Sequence, residues 1–314
     1  MNVLIDVPLT ESQLRRIRDA AGEAQVVQAA SGNELARQVR DAEVYFGSIS
    51  PELFAQAGRL RWIQTLGAGV DELLFPDLVS SDVILTSEKG QVGPHLAEQA
   101  FALLLALTRG VARSLHERTW SNKESIRAGC WELTGLTMGI VGFGGTGRAV
   151  AHLGAAFGLR LLAVDPEAVE RPPEVESVWQ MDGFERLLAA SDIVVICAPL
   201  TAATRGLFDD RAFRQMKPGA LLINVSRGAI VDEAALLRAL REGLIAGAGL
   251  DVTPVEPLPD DHPLWNMDTV VITPHVAGAS PLRMDRAVDL FCRNLVAYRQ
   301  GLPLESVIDK SRGY

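Results

Sequence analysis

The sequence predicts an α/β protein of two doubly wound parallel-sheet domains, Rossmann-like or flavodoxin-like, one inserted into the other, which is discontinuous. Three observations carry this. Short apolar runs alternate with helical patterns from one end of the chain to the other, the pattern of βα units. The clearest runs are continuous Val/Ile/Leu stretches rather than apolar/polar alternations, as expected of strands buried on both faces. The length, 314 residues, suits two domains, each able to bury a core without disulfide or metal staples.

Taken in order, Val3–Ile5, Val26–Val27, Val44–Phe46, Trp62–Thr65 and Val83–Thr86 read as strands. Helices are expected over Glu11–Ala21, Glu34–Asp41 and Pro51–Gln56. Leu96–Thr108 is the most apolar segment, too short for a membrane span of about 20 residues, and reads as a buried helix. Pro94 suits its first turn, where a missing N–H costs nothing, so a domain crossing is placed there. The central strands are Met138–Val141, Leu161–Val164, Ile193–Cys197, Ala220–Asn224, Ala248–Val252 and Val270–Ile272. A second crossing falls around Ala279–Leu282, before a last helix over Met284–Arg299. Residues 1–94 and 283–314 would then form one domain, with 95–282 inserted into it.

Composition narrows the function. With 48% apolar and 22% charged residues the chain is neither disordered nor fibrous, and its net charge of −9 argues against bulk capture of nucleic acid or anionic membrane. Three cysteines, Cys130, Cys197 and Cys292, are far apart and form no CxxC pair, so neither a disulfide framework nor a thiolate metal site is encoded. No HExxH or clustered His/carboxylate spacing supports a metal. A reducing cytoplasm is the expected location, and the N-terminal residues lack the features of a secretory signal.

Strand Met138–Val141 runs into Gly142-Phe143-Gly144-Gly145-Thr146-Gly147, and an apolar-faced helix follows. This is GxGxxG in the setting its chemistry requires. Gly142 permits the tight turn, Gly144 lets a pyrophosphate approach the backbone, and Gly147 allows close helix–strand packing, while the helix N-terminus supplies N–H groups to the anion. Asp165 ends the next strand, where a carboxylate would accept from ribose hydroxyls and repel a 2′-phosphate, favouring NAD over NADP. The chain has no GxxxxGK[ST] loop.

Redox chemistry on a carbonyl or alcohol also needs a proton donor/acceptor and a cation to orient the substrate. Arg227, Glu256 and His275 each follow a predicted parallel strand, on the side of the sheet where such folds bind ligands. A guanidinium presents a fork of donors to a carboxylate and stays charged, and a carboxylate beside a histidine holds the ring and favours imidazolium. Taken singly, Arg227 and Glu256 also suit a surface ion pair and a solvated turn. His116 and His152 fall in helical patterns, His262 in an acidic loop, and His95 at a helix start.

At these residues the chain resembles the D-isomer-specific 2-hydroxyacid dehydrogenase family, over nearly its whole length. The resemblance rests on GIVGFGGTGRAVA (139–151), Asp165, CAPLTAATRGLFD (197–209), LLINVSRGAIVDEAAL (221–236), LDVTPVEPLP (250–259) and ITPHVAG (272–278). It implies an NAD(H)-dependent enzyme interconverting a small 2-oxoacid and its D-2-hydroxyacid, such as a hydroxypyruvate/glyoxylate reductase or a phosphoglycerate-dehydrogenase-like enzyme. Arg227 would grip the substrate, His275 exchange the proton, and Glu256 pair with the imidazole. Pro199 and Thr204 resemble nucleotide-contacting positions, Ser226 lies beside the nicotinamide region, and Asp251 would approach its carboxamide. The turn Gly67-Ala68-Gly69 resembles the loop whose N–H groups bind the substrate carboxylate. Leu96 departs from the hydroxyl residue that many relatives carry, so no contact is transferred to it. Formate dehydrogenases share the architecture with a glutamine beside the histidine, and Glu256 argues against that branch. The resemblance also implies a homodimer through the inserted domain. An NAD(H)-sensing binding protein of the corepressor type is the alternative.

Overall fold

The computed structural model describes residues 1–29 and 32–314. The chain divides into two compact units, one formed by Met1–Val92 with Ser280–Tyr314 and the other by Gly93–Ala279.

In the first unit, β1 (Asn2–Ile5), β2 (Gln25–Gln28), β3 (Val44–Phe46), β4 (Trp62–Gln64) and β5 (Ile84–Thr86) make a parallel sheet in the order β2-β1-β3-β4-β5. Side chains alternate across it. Val3, Ile5, Val44, Phe46 and Trp62 enter one core, while Leu4, Tyr45, Ile63 and Leu85 enter the other. That two-sided burial explains why these strands read as unbroken apolar runs. The helix Glu11–Ala21 begins with a capping box between Thr10 and Gln13, and the helix Arg283–Arg299 packs beside it, stacking Phe291 on Phe46 with centroids 4.3 Å apart. A buried polar network ties that returning helix to the strands: Asn294 Nδ2 donates to Gln64 Oε1 at 3.3 Å, and Thr86 Oγ1 donates to the same oxygen at 2.8 Å.

The second unit holds seven parallel strands: β6 (Thr137–Val141), β7 (Arg160–Val164), β8 (Ser177–Trp179), β9 (Ile193–Ile196), β10 (Ala220–Asn224), β11 (Ile245–Leu250) and β12 (Val270–Ile272). Their order is β12-β11-β10-β9-β6-β7-β8, so the winding reverses between β6 and β9. Met138, Ile140, Leu161, Ala163, Ile193 and Val195 face one core, and Val141, Leu162, Val164, Val194 and Ile196 the other. The helix Gly93–Thr108 covers the first of these faces and packs closely on the helix Gly145–Ala156, where a Cβ on Gly93 would meet Gly145 O at 2.8 Å.

Two strands of this sheet depart most from the sequence expectation. Strand β8 was not anticipated, because it is three half-buried residues at the edge of the sheet. Strand β11 begins at Ile245 rather than Ala248, since Gly247 and Gly249 lie within it despite their poor strand propensity. Both glycines are demanded by packing: a Cβ on Gly247 would meet Thr269 O at 2.4 Å, and one on Gly249 would meet Leu103 Cβ at 2.8 Å.

Candidate active site

The glycine loop sits at the carboxyl end of β6, beside the reversal of strand order. Gly142 adopts φ +91°, and a Cβ there would strike the backbone of Ala198 at 2.5 Å. Gly144 is the N-cap of the helix Gly145–Ala156 and caps it with no side-chain bond, which leaves the first-turn N–H groups to a ligand. A Cβ on Gly144 would meet nothing within 4 Å, whereas one on Gly147 would lie 2.2 Å from Gly142 O. Gly145 and Thr146 form the first residues of the helix. The cradle fits a dinucleotide pyrophosphate: open above Gly144, closed beneath Gly147.

Asp165 follows β7. Its Oδ2 accepts from Phe143 N at 2.7 Å and its Oδ1 from Glu167 N at 3.0 Å, so the carboxylate is locked against the glycine loop. Beyond β9, Thr204 Oγ1 donates to Pro199 O at 2.6 Å and accepts from Thr201 N at 2.8 Å, closing the 199–204 loop on itself. Ser226 Oγ donates to Ala198 O, joining the loops after β9 and β10.

Arg227, Glu256 and His275 follow β10, β11 and β12, three successive neighbours in the sheet. Asn224 shapes the first loop, accepting from Ser226 N at 3.0 Å and donating to Arg227 O at 3.0 Å. Gly228 lies against the next loop, where a Cβ would meet Thr253 C at 2.0 Å, so only glycine lets the Arg227 and Glu256 loops approach this closely. Glu256 Oε1 accepts from Thr253 N at 3.0 Å, and Oε2 lies 2.7 Å from His275 Nδ1. A carboxylate only accepts, so Nδ1 carries a proton and Nε2 is the nitrogen left for the reacting oxygen. The His275 side chain is 45% exposed, open enough to meet a ligand.

Asp251, 1% exposed, turns its carboxylate toward the histidine loop: Oδ1 accepts from Val276 N at 3.0 Å and Oδ2 from Ala277 N at 2.9 Å. The remaining histidines serve the scaffold or lie apart from this pair. His262 bonds Glu233 at 3.1 Å and accepts from Leu264 N at 3.4 Å, while His116 and His152 lie within helices.

In the first unit, the Gly67–Gly69 turn follows β4. Glu88 N donates to Gly67 O at 3.0 Å and Ser87 Oγ to Ala68 O at 3.5 Å. In a trans peptide the carbonyl and the next N–H point opposite ways, so these bonds turn the Ala68 and Gly69 N–H groups away from residues 87 and 88. Among the described residues no cluster of His, Cys, Asp or Glu could hold a metal ion, and no helix is long and apolar enough to cross a membrane.

A Rossmann sheet with this glycine loop and a histidine–carboxylate pair on the same carboxyl edge defines a nicotinamide-dependent oxidoreductase. Residues 101–277 match the family description "D-isomer specific 2-hydroxyacid dehydrogenase, NAD binding domain". The chain belongs to that family. It is 35% identical to a glyoxylate reductase of Thermofilum pendens over 299 residues, covering 89% of this chain and 85% of the relative. It is 32% identical to a D-3-phosphoglycerate dehydrogenase of Archaeoglobus fulgidus, covering 98% of this chain but 59% of that longer protein. Among solved structures, the NADPH-dependent glyoxylate/hydroxypyruvate reductase of Sinorhizobium meliloti, in complex with NADP and sulfate, superposes with a TM-score of 0.85 at 27% identity, covering 100% of this chain and 99% of that one.

Proposed function

We propose that the protein reduces a small 2-oxoacid to its D-2-hydroxyacid, and runs the reverse oxidation, with glyoxylate and hydroxypyruvate the first substrates to try. The observation that carries this reading is the His275–Glu256 pair, 2.7 Å apart on the edge that also bears the glycine loop. Gly142, Gly144, Gly145, Thr146, Gly147 and Asp165 would hold the dinucleotide, with Pro199 and Thr204 contacting the nucleotide and Ser226 beside the nicotinamide, while Asp251 stays buried beneath the histidine turn. A nicotinamide bound there supplies or accepts the hydride. Arg227 grips the substrate carboxylate and polarises the 2-oxo group, and His275 Nε2 delivers a proton to the oxygen or removes it from the hydroxyl. Glu256 keeps the ring in the required tautomer and stabilises its charged form once the proton is taken up. For the first unit, the Ala68 and Gly69 N–H groups of the Gly67–Gly69 turn suit a carboxylate.

NAD is the proposed cofactor, although the Sinorhizobium relative holds NADP. Asp165 is followed by Glu167 and Glu170, and the flanking arginines are engaged with backbone carbonyls, Arg148 with Glu170 O at 3.0 Å and Arg171 with Val175 O at 2.6 Å. A 2′-phosphate there would meet carboxylates first. A cytoplasmic homodimer is the proposed state: the three cysteines are free thiols, and Val111, Leu115 and Trp120, 46%, 69% and 89% exposed, crowd one short stretch of the second unit.

The decisive experiment follows NADH oxidation with a panel of 2-oxoacids, together with NADH affinity by fluorescence. Turnover that falls by orders of magnitude in His275→Ala, with NADH affinity kept, is the expected result. Tight NADH binding without turnover of any 2-oxoacid would instead support a cofactor-sensing binding protein.

A further inference from the structure

His275 is a non-glycine residue with φ +52°, in the left-handed region that only an over-determined environment maintains. Its surroundings supply that determination. His275 N donates to Asp251 O at 2.8 Å and Thr273 O at 3.0 Å, and the next two N–H groups go to the two carboxylate oxygens of Asp251. Thr273 Oγ1 donates to Asp251 Oδ1 at 2.6 Å, and Gln99 Nε2 donates to that hydroxyl at 2.9 Å. The direction of each bond is fixed. An amide N–H can only donate, so the threonine oxygen receives it and must spend its own hydrogen on Asp251.

We propose that Gln99 and Thr273 are positioning residues for the acid/base histidine, acting through the buried carboxylate of Asp251; this rests on the proton-exchange role proposed above for His275. Asp251 is 1% exposed and its carboxylate oxygens are held by Thr273 Oγ1, Val276 N and Ala277 N, so its placement depends on the number and aim of those donors. Removing the threonine hydroxyl takes one of three side-chain bonds from the carboxylate and loosens the turn that aims the imidazole at Glu256. Gln99 can perform this task because its helix is held at fixed depth. Leu103, one turn further along, lies directly on the Gly249 backbone of β11, two residues before Asp251. The same helix packs on the glycine-loop helix through Gly93, so one rigid element sets both the cofactor cradle and the histidine turn.

The test compares Thr273→Val, Gln99→Leu and Thr273→Ser in the full chain. Near-isosteric Thr273→Val should lower kcat with NADH and glyoxylate by about 10- to 100-fold, the range expected when a catalytic group is misaimed. Gln99→Leu should lower it less, NADH affinity should stay within about twofold of wild type in both, and Thr273→Ser should restore most of the loss. Long-range proton–nitrogen spectra of the His275 ring provide a readout without turnover: a single Nδ1–H tautomer in wild type, a mixture in Thr273→Val. If wild type reduces no 2-oxoacid, the spectra still judge the relay while the enzymatic reading fails. Unchanged ring signals and kcat in both apolar variants would overturn the proposal. So would a kcat loss matched by an equal loss of NADH affinity, or a Thr273→Ser variant no better than Thr273→Val.

Discussion

Gly144 and Gly147 occupy one hexapeptide but are required for opposite reasons, and alanine at each position separates them. At Gly147 a Cβ lies 2.2 Å from Gly142 O and 3.2 Å from Ile140 Cγ2. The oxygen belongs to a backbone that already holds φ +91°, so it cannot swing aside as a side chain would. Helix Gly145–Ala156 must move off β6 by enough to restore a normal contact, an overpacking strain of about 1–3 kcal/mol. Part of that strain falls on the cradle, since displacing the helix end lengthens every N–H bond to a pyrophosphate. At about 1.4 kcal/mol per tenfold the whole strain corresponds to roughly 5- to 140-fold, which bounds the fall in NADH affinity, and the thermal midpoint should fall by roughly 2–12 °C for a unit of this size. At Gly144 a Cβ meets nothing, so Gly144→Ala should melt within about 0.5 kcal/mol of wild type yet lose NADH affinity, because the methyl occupies the space a phosphate needs. Fluorescence titration of NADH and a thermal melt on each variant decide the matter. Wild-type affinity in Gly144→Ala would refute the placement of the pyrophosphate, and an unchanged melt in Gly147→Ala would refute the close-packing account.

Other expectations follow from the same geometry. Arg227→Lys should lower kcat/KM for 2-oxoacids by about 10- to 150-fold, matching about 1.5–3 kcal/mol for a charge-assisted bond, with NADH affinity retained; a parallel fall in NADH affinity would count against the substrate role. Asp165→Ser should shift cofactor preference toward NADPH by about 1–4 kcal/mol, the repulsion between unit charges about 4 Å apart at surface-like dielectric, measured as the ratio of kcat/KM for the two cofactors. Glu88 is buried, its Oε2 paired with Arg283 at 3.0 Å and its Oε1 without a partner; burial raises its pKa, and the Arg283 charge offsets this in part. A carboxyl whose folded pKa is raised contributes stability at low pH that is lost as pH climbs through the folded value. The thermal midpoint of Glu88→Gln relative to wild type should therefore rise as pH climbs above the ordinary carboxylate value of 4.5, and a flat or falling difference would contradict the burial argument.

Much of this was legible before any coordinates. Helix Glu11–Ala21 and strands Val44–Phe46, Ala220–Asn224 and Val270–Ile272 coincide with the sequence expectation, because each is one unbroken apolar or amphipathic pattern with clear limits. Helices Asp210–Gln215 and Glu233–Arg241 were passed over, although Asp209 and Asp232 cap them by accepting from Ala212 N and Ala235 N, a signal available in the sequence. That Arg227, Glu256 and His275 share one edge is legible because residues just beyond parallel strands gather there. The Gln99–Thr273 bond was not: its partners are 174 residues apart, and neither type nor spacing announces a pairing that only packing creates. The sequence places Asp251 at the nicotinamide; the structure shows its buried carboxylate stapling residues 273–277 instead, an outcome of the turn conformation that no local pattern encodes.

The return of helix Arg283–Arg299 to the first sheet also bears on how the molecule comes into being. Residues 93–279 form an uninterrupted stretch, so this unit can close its core while the ribosome is still at work. The earlier-made half cannot. Phe46 and Trp62 wait for Phe291, and Gln64 for Asn294, with part of an apolar sheet face uncovered until the helix Arg283–Arg299 has emerged. The strands of this sheet are thus made before the inserted unit but completed after it, and for that interval their unpaired apolar surface is open to aggregation.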